Sequence, residues 1–194
     1  MRMEPIVAKE LKSLRYRSET LKGMVYEDCT FEDCVFDATT FDHCRIHNCI
    51  FHNCSFVMPQ SRYTDMRFCT FRYCSLISVD FASFVSDEYI QDPVSSLEDC
   101  NLKYCSFHGM DFREMDLSGN RFTKCSFEDC DMEGVSFKGC DLNGTSFAFC
   151  DLRKADLRNA SGYAVDIFNN KLKEAKFSSP EALSLLSGLD IEID

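Results

Sequence analysis

No stretch of the 194-residue chain approaches the length of a membrane-crossing helix, and Met1 to Leu21 contains no continuous apolar run of the kind that heads a secreted protein. There is no glycine-rich phosphate loop, no nucleophile elbow and no Cys/His pair placed so that the two side chains could meet. These absences argue against a membrane-spanning helix, a secreted framework and an enzyme, and lead to the expectation of a cytoplasmic chain. The thirteen cysteines do not restore a disulfide framework, because their number is odd and no secretory segment accompanies them.

What the chain has instead is a period. Each cysteine sits two positions before a large apolar residue, as in Cys29/Phe31, Cys34/Phe36, Cys49/Phe51, Cys105/Phe107 and Cys125/Phe127. With the large residue taken as a centre, centres recur every five residues from Leu21 to Phe81 and, shifted by one in phase, from Leu97 to Phe177, and fourteen of the eighteen phenylalanines occupy them. Ser61 and Gly162 are the polar or small exceptions. Neither a helix nor an alternating strand has a period of five, whereas four short edges joined by tight turns bring every twentieth residue into vertical register. The position two after the centre carries Asp28, Asp33, Asn48, Asn53, Asp99, Gly109, Gly119, Gly134, Gly139 and Gly144, residue types that tolerate the positive φ of such turns.

Cys140-Asp141-Leu142-Asn143-Gly144 and Ala155-Asp156-Leu157-Arg158-Asn159 follow a pattern of small residue, Asp or Asn, Leu or Phe, then two variable positions. On these motifs, over about residues 21 to 177, the chain resembles the pentapeptide repeat family. The resemblance implies an all-β fold, a right-handed quadrilateral parallel β-helix. Residues 1–20 are expected to form an amphipathic N-terminal cap through Val7, Leu11 and Leu14, residues 21–177 the solenoid, and residues 178–194 a C-terminal module. Two interruptions stand out. Pro59 and Ser61 fall where core residues belong, which reads as a distorted coil or a small loop, and the step from Phe81 to Leu97 exceeds the period by eleven residues, which reads as a loop at about 82–96.

His43, His47, His52 and His108 occupy outward positions while every cysteine points inward, so no zinc set is expected from their pairing, nor any other cofactor. The net charge is −11, and residues 1–22 carry six Lys/Arg against three Asp/Glu, so the remainder is strongly acidic. Asp111, Asp131 and Asp151, spaced by twenty, are expected to stack as one column with Glu114 and Glu133 beside it, and Asp87, Glu88 and Tyr89 to stand on the central loop. Such a surface repels nucleic acid, so a protein partner is expected to meet these residues. The bland alternative is that each Asp caps its own turn and the charge keeps a rod soluble.

After the repeats, Ser178-Ser179-Pro180-Glu181 reads as a helix start with Ser as N-cap, Gly188 as its end, and Leu189 to Asp194 as a strand with one apolar edge. Rod, acidity, central loop and this terminal module together resemble the fluoroquinolone-resistance (Qnr-type) branch. That resemblance implies an end-to-end homodimer, with Leu183, Leu186, Leu189 and Ile191 as its contact, and a DNA-like outline that binds DNA gyrase or topoisomerase IV and protects it from quinolones. A general protein-interaction scaffold is the alternative.

Overall fold

The structure, a computed structural model, describes residues 4–85, 92–189 and 191. It is an all-β, right-handed, quadrilateral parallel β-helix with a short helical C-terminal region. Strands of mostly three residues run along four sides, and each pairs in parallel with the strand one coil later. On the first side Tyr26 pairs with Ile46, on the second Phe31 with Phe51, on the third Phe36 with Phe56, and on the fourth Leu21 with Phe41. The twenty-residue register expected from the period is the register observed.

The repeat begins earlier than the sequence suggested. Ile6–Val7, Glu10–Lys12, Arg15–Arg17 and Thr20–Lys22 form a complete first coil in register with the second, so residues 6–20 belong to the rod instead of a separate cap. Leu11, Leu14 and Tyr16 are only half-buried there because nothing covers them from above among the described residues.

The core is a set of stacked columns. Phe31, Phe51 and Phe71 stack at 4.8 and 5.0 Å between ring centroids. Phe81, Phe107, Phe127 and Phe147 form a second column at 4.9, 4.6 and 5.2 Å with planes within 10° of parallel. Centroid spacings near the distance between paired strands show that the backbone ladder sets the ring positions.

The small position two before the centre has a second duty. Its thiol, hydroxyl or amide reaches a backbone carbonyl of the preceding coil, as Cys44 Sγ does at Leu21 (3.1 Å), Thr64 Oγ1 at Phe41 (2.9 Å) and Asn120 Nδ2 at Leu97 (2.8 Å). It also accepts from the backbone N–H of its counterpart below: Cys44 N–H donates to Thr64 Oγ1, and Cys100 N–H to Asn120 Oδ1. At these corners the backbone groups would otherwise be buried without partners. Cys, Thr and Asn therefore satisfy the wall while filling it. All thirteen cysteines are free and buried, and burial pushes the thiols of Cys49 and Cys140 up to about 12.

Both interruptions resolve physically. Residues 57–65 are an ordinary rung, with Gln60–Arg62 in register on Thr40–Asp42. Ser61 leaves room inside the fourth side, and Phe84, from the short 3-10 turn Ala82–Phe84, fills it edge-on to Phe41 at 5.7 Å. Across the insertion Phe71 pairs with Leu97 and Leu76 with Leu102, an offset of twenty-six instead of twenty, so the coil gains six residues, not eleven. The others close the first side of the fifth coil, where the carbonyls of Asp92 and Pro93 accept from the N–H groups of Phe68 and Cys69.

Near the far end the lattice slips once. Thr145 pairs with Tyr163 and Phe147 with Val165, two residues ahead of register, so Tyr163 and Val165 enter the core in place of Gly162 and Ile167. Gly162 has φ +73°, and a Cβ there would lie 2.8 Å from Asn143 Cα. The C-terminal helix is a 3-10 helix, Glu181–Gly188, capped by Pro180 without a side-chain cap, so the expected Ser N-cap is not used; the N–H of Ala182 bonds the Ser178 carbonyl instead. Leu189 is extended, while residues 190 and 192–194 of the expected strand lie outside the described residues.

Candidate partner-binding surface

The repeat places every outward side chain on one of four flat sides, so the surface is decided by which residue types recur at twenty. Asp111, Asp131 and Asp151 do stand in one column, joined by parallel bridges that continue to Lys171. Their carboxylates cap the turn two residues on: Asp111 Oδ1 accepts from Arg113 N–H at 3.0 Å and Asp151 Oδ1 from Arg153 N–H at 3.3 Å. The column is also paired with cations. Arg113 binds Asp111 and lies 3.7 Å from Asp131, Arg153 reaches Asp151 (2.7 Å) and Glu133 (2.9 Å), Lys154 reaches Glu133 (2.6 Å), and Lys171 reaches Asp151 (3.1 Å). The Arg153 guanidinium holds the Asp151 carboxyl down at about 2. Glu114 sits at the corner above Gly134, where its carboxylate occupies the space a side chain would need.

Counted by side, with each corner residue given to the side before it, the charge is uneven. Among the described residues the first side holds eleven Asp/Glu and seven Lys/Arg, and the fourth holds six Asp/Glu with Lys22 and Arg62. The third side is cationic: Arg15, Arg17, Lys103, Arg121 and Lys124 stand against Asp37 and Asp141. Its strands, from Arg15–Arg17 to Arg121–Thr123, form the sheet that crosses the insertion without a break in pairing. Where the insertion enters, an open groove of about 490 Å³ is lined by Phe68, Asp92, Val94, Asp111, Arg113 and Glu114. Asp87, Glu88 and Tyr89 lie outside the described residues.

Sequence reasoning missed two features here. Met58, Tyr63, Phe68 and Tyr73 occupy four consecutive corners at φ between 46° and 55° and are all substantially exposed, although bulky residues disfavour that conformation. The other is a set of outward residues, His108, Glu128 and Asp129, whose donor atoms meet on the fourth side. The twenty-residue spacing of 108 and 128 is the signal in the sequence that places them side by side.

At the C-terminal end Leu183 and Ile191 are exposed, Leu186 and Leu189 are half-buried, and Leu185 packs against the core. Leu185 also lines a pocket of about 450 Å³ with Phe147, Val165, Ile167 and Phe168.

Residues 95–177 match the family described as pentapeptide repeat region. That stretch, under half of the chain, is what the family model covers; the remaining rungs share its twenty-residue register. Among solved pentapeptide repeat structures, a trypsin-treated variant of QnrB1, a plasmid-mediated fluoroquinolone resistance protein, is similar at 20% identity and TM-score 0.54, covering 97% of this chain and 96% of that one. HetL, a pentapeptide repeat protein involved in heterocyst differentiation regulation in the cyanobacterium Nostoc sp. strain PCC 7120, is similar at 14% identity and TM-score 0.40, covering 88% and 85%. A comparison with curated proteins found no match. Among the described residues no helix is long and apolar enough to cross a membrane.

Proposed function

We propose that this chain is a pentapeptide repeat protein and a DNA-mimicking binder of a bacterial type II topoisomerase, DNA gyrase or topoisomerase IV. The observation that carries the reading is the pair of adjacent acidic sides, the fourth and the first, on a rod whose rungs hold their carboxylates at a fixed repeat. A protein groove built for duplex DNA is lined with cations at fixed spacing, and electrostatic complementarity would steer such a rod into it. The candidate contacts are Asp111, Glu114, Asp131, Glu133 and Asp151, with Asp87, Glu88 and Tyr89 on the insertion. Leu183, Leu186, Leu189 and Ile191 are the candidate contact of an end-to-end homodimer, and sedimentation of Leu183→Asp, at an exposed position, tests it.

The deciding experiment is a gyrase supercoiling assay with the protein added, with and without a quinolone. A change in supercoiling or in drug sensitivity is expected. No effect in either arm at large excess overturns the reading. A scaffold for a different protein partner is the second reading, favoured by the ion pairing along the aspartate column and by the cationic third side. Asp111, Asp131 and Asp151 all changed to Asn, against a control with Glu27, Glu32 and Asp37 neutralised, separates a specific contact from net charge: equal losses point to charge alone.

A further inference from the structure

We propose that His108, Glu128 and Asp129 form a binding site for a borderline divalent cation, Zn²⁺ or Ni²⁺, on the fourth side of the rod. The lattice places these residues together. His108 and Glu128 are register partners in the paired strands Ser106–His108 and Ser126–Glu128, and Asp129 follows at the corner with φ +53°. The rung spacing between them is held by the backbone bond from Gly109 N–H to the Glu128 carbonyl (2.9 Å), and the bond from Asp129 N–H to the Ala148 carbonyl (3.0 Å) ties the lower rung to the next coil.

One donor atom from each side chain lies within 4.8 Å of the other two, and His108 Nδ1 is 4.0 Å from Glu128 Oε2. Around a tetrahedral ion with bonds of about 2.0–2.1 Å, donors stand about 3.3 Å apart. The set therefore needs to contract by at most about 1.5 Å, within reach of side-chain rotation alone. All three residues are exposed, so their rotation is unhindered while the backbone beneath them is held on both edges.

Electrostatics distinguishes this cluster from the acidic column on the first side. There, Arg113, Arg153, Lys154 and Lys171 compensate the carboxylates. Here His108 is the only ion-pair partner of Glu128, and Asp129 has none among the described residues. Lys22 and Arg62, the fourth side's Lys/Arg among the described residues, stand on the first and third coils, whereas the cluster stands on the fifth and sixth.

One imidazole nitrogen with two carboxylates selects the class of ion. Calcium takes six to eight oxygens and magnesium an octahedron of oxygens and water, whereas imidazole with carboxylate suits zinc and nickel. Three protein ligands leave a coordination position open to water or to a donor from a bound partner.

The test is isothermal titration of the full-length, reduced protein with ZnCl₂ and NiCl₂, with MgCl₂ as the comparison ion. Saturable binding of one zinc per chain is expected, weakened at least tenfold in His108→Ala and in Asp129→Asn and unchanged in His43→Ala and His52→Ala. Each change lies at an exposed side chain, and an unaltered melting curve without metal confirms that the variant folds. Zinc should also raise the melting temperature of the wild type but not of His108→Ala, because an ion that binds only the folded state stabilises it. Absence of saturable binding, magnesium binding as strong as zinc, or undiminished zinc binding by His108→Ala would overturn the proposal.

Discussion

Removing the ring of Phe127 tests whether the stacked columns hold the rod together. Its side chain is 1% exposed and meets five rings: Phe107 and Phe147 above and below at 4.6 and 5.2 Å, and Phe112, Phe122 and Phe137 edge-on at 5.7 Å. Phe→Ala in a core costs about 3–5 kcal/mol, least where neighbours collapse into the space. Here they cannot follow easily, because the ladder through Ser126–Glu128 fixes the rungs above and below. The cost should fall near the upper end, about 4–5 kcal/mol. For a chain of this length that corresponds to a fall of roughly 8–20 °C in Tm. Phe177, half-buried near the end with Tyr163 as its ring neighbour at 5.9 Å, supplies the comparison. Phe177→Ala should cost only about 1–1.5 kcal/mol, roughly half of a full phenylalanine burial. Urea titration followed by far-ultraviolet circular dichroism measures both. If Phe127→Ala lost no more than Phe177→Ala, the columns would not carry the stability assigned to them.

Three further outcomes follow from particular contacts. Gly162→Ala should be much more damaging than Gly139→Ala: both have φ above 70°, but a Cβ at 162 meets the Asn143 backbone at 2.8 Å whereas at 139 nothing lies within 4 Å. Gly139→Ala should cost only the left-handed penalty of about 1–2 kcal/mol, and equal unfolding midpoints for the two variants would refute the close approach. Ser61→Ala should be neutral or stabilising by up to about 1 kcal/mol, since the Ser61 hydroxyl is buried without a partner among the described residues; a clear loss in urea titration would reveal a bond it makes. Acid should weaken the fold in a defined window. Arg153 and Arg158 hold the carboxyls of Asp151 and Asp156 at about 2, below the ordinary value of 3.8, so the unfolded chain takes up protons first as pH falls. Stability from these pairs is full above about pH 5 and lost between about 4 and 2, and Asp151→Asn with Asp156→Asn should flatten the midpoint against pH there.

The rod was legible because its rule is local and repeated: a small polar-tipped residue, a large apolar one two places on, and a turn residue after that. Where one side chain solves a problem posed by another far along the chain, the rule falls silent. Ser61 reads as a flaw until Phe84 is seen filling the gap. Ile6, Leu11, Tyr16 and Leu21 share the later phase, but an exposed first coil without a single cysteine looks like a cap. At 163 and 165 a two-residue slip is invisible to a fixed period. The aspartate column was legible in position, and so was its partial neutralisation by Arg113 and Arg153, each two places after its own aspartate; the pairing of Lys154 and Lys171 was not, because these reach it from neighbouring rungs. His108, Glu128 and Asp129 obey the same register as the core, but the register shows only which residues are neighbours, and a mixed His/Glu/Asp set has no recurring residue type to mark it as the aspartate column has.

The sidedness of the charge has a dynamic consequence. The first and third sides face away from each other, one with four more acids than bases and the other with three more bases than acids. The molecule therefore carries an electric dipole across its width, perpendicular to the solenoid axis. In the field of a charged partner a net charge only draws the rod in, whereas this dipole exerts a torque that rolls it about its long axis once the two surfaces come within about a Debye length, before contact. Which side arrives first is thus biased before any side chain touches, and added salt should erode that choice of orientation as well as the rate of encounter.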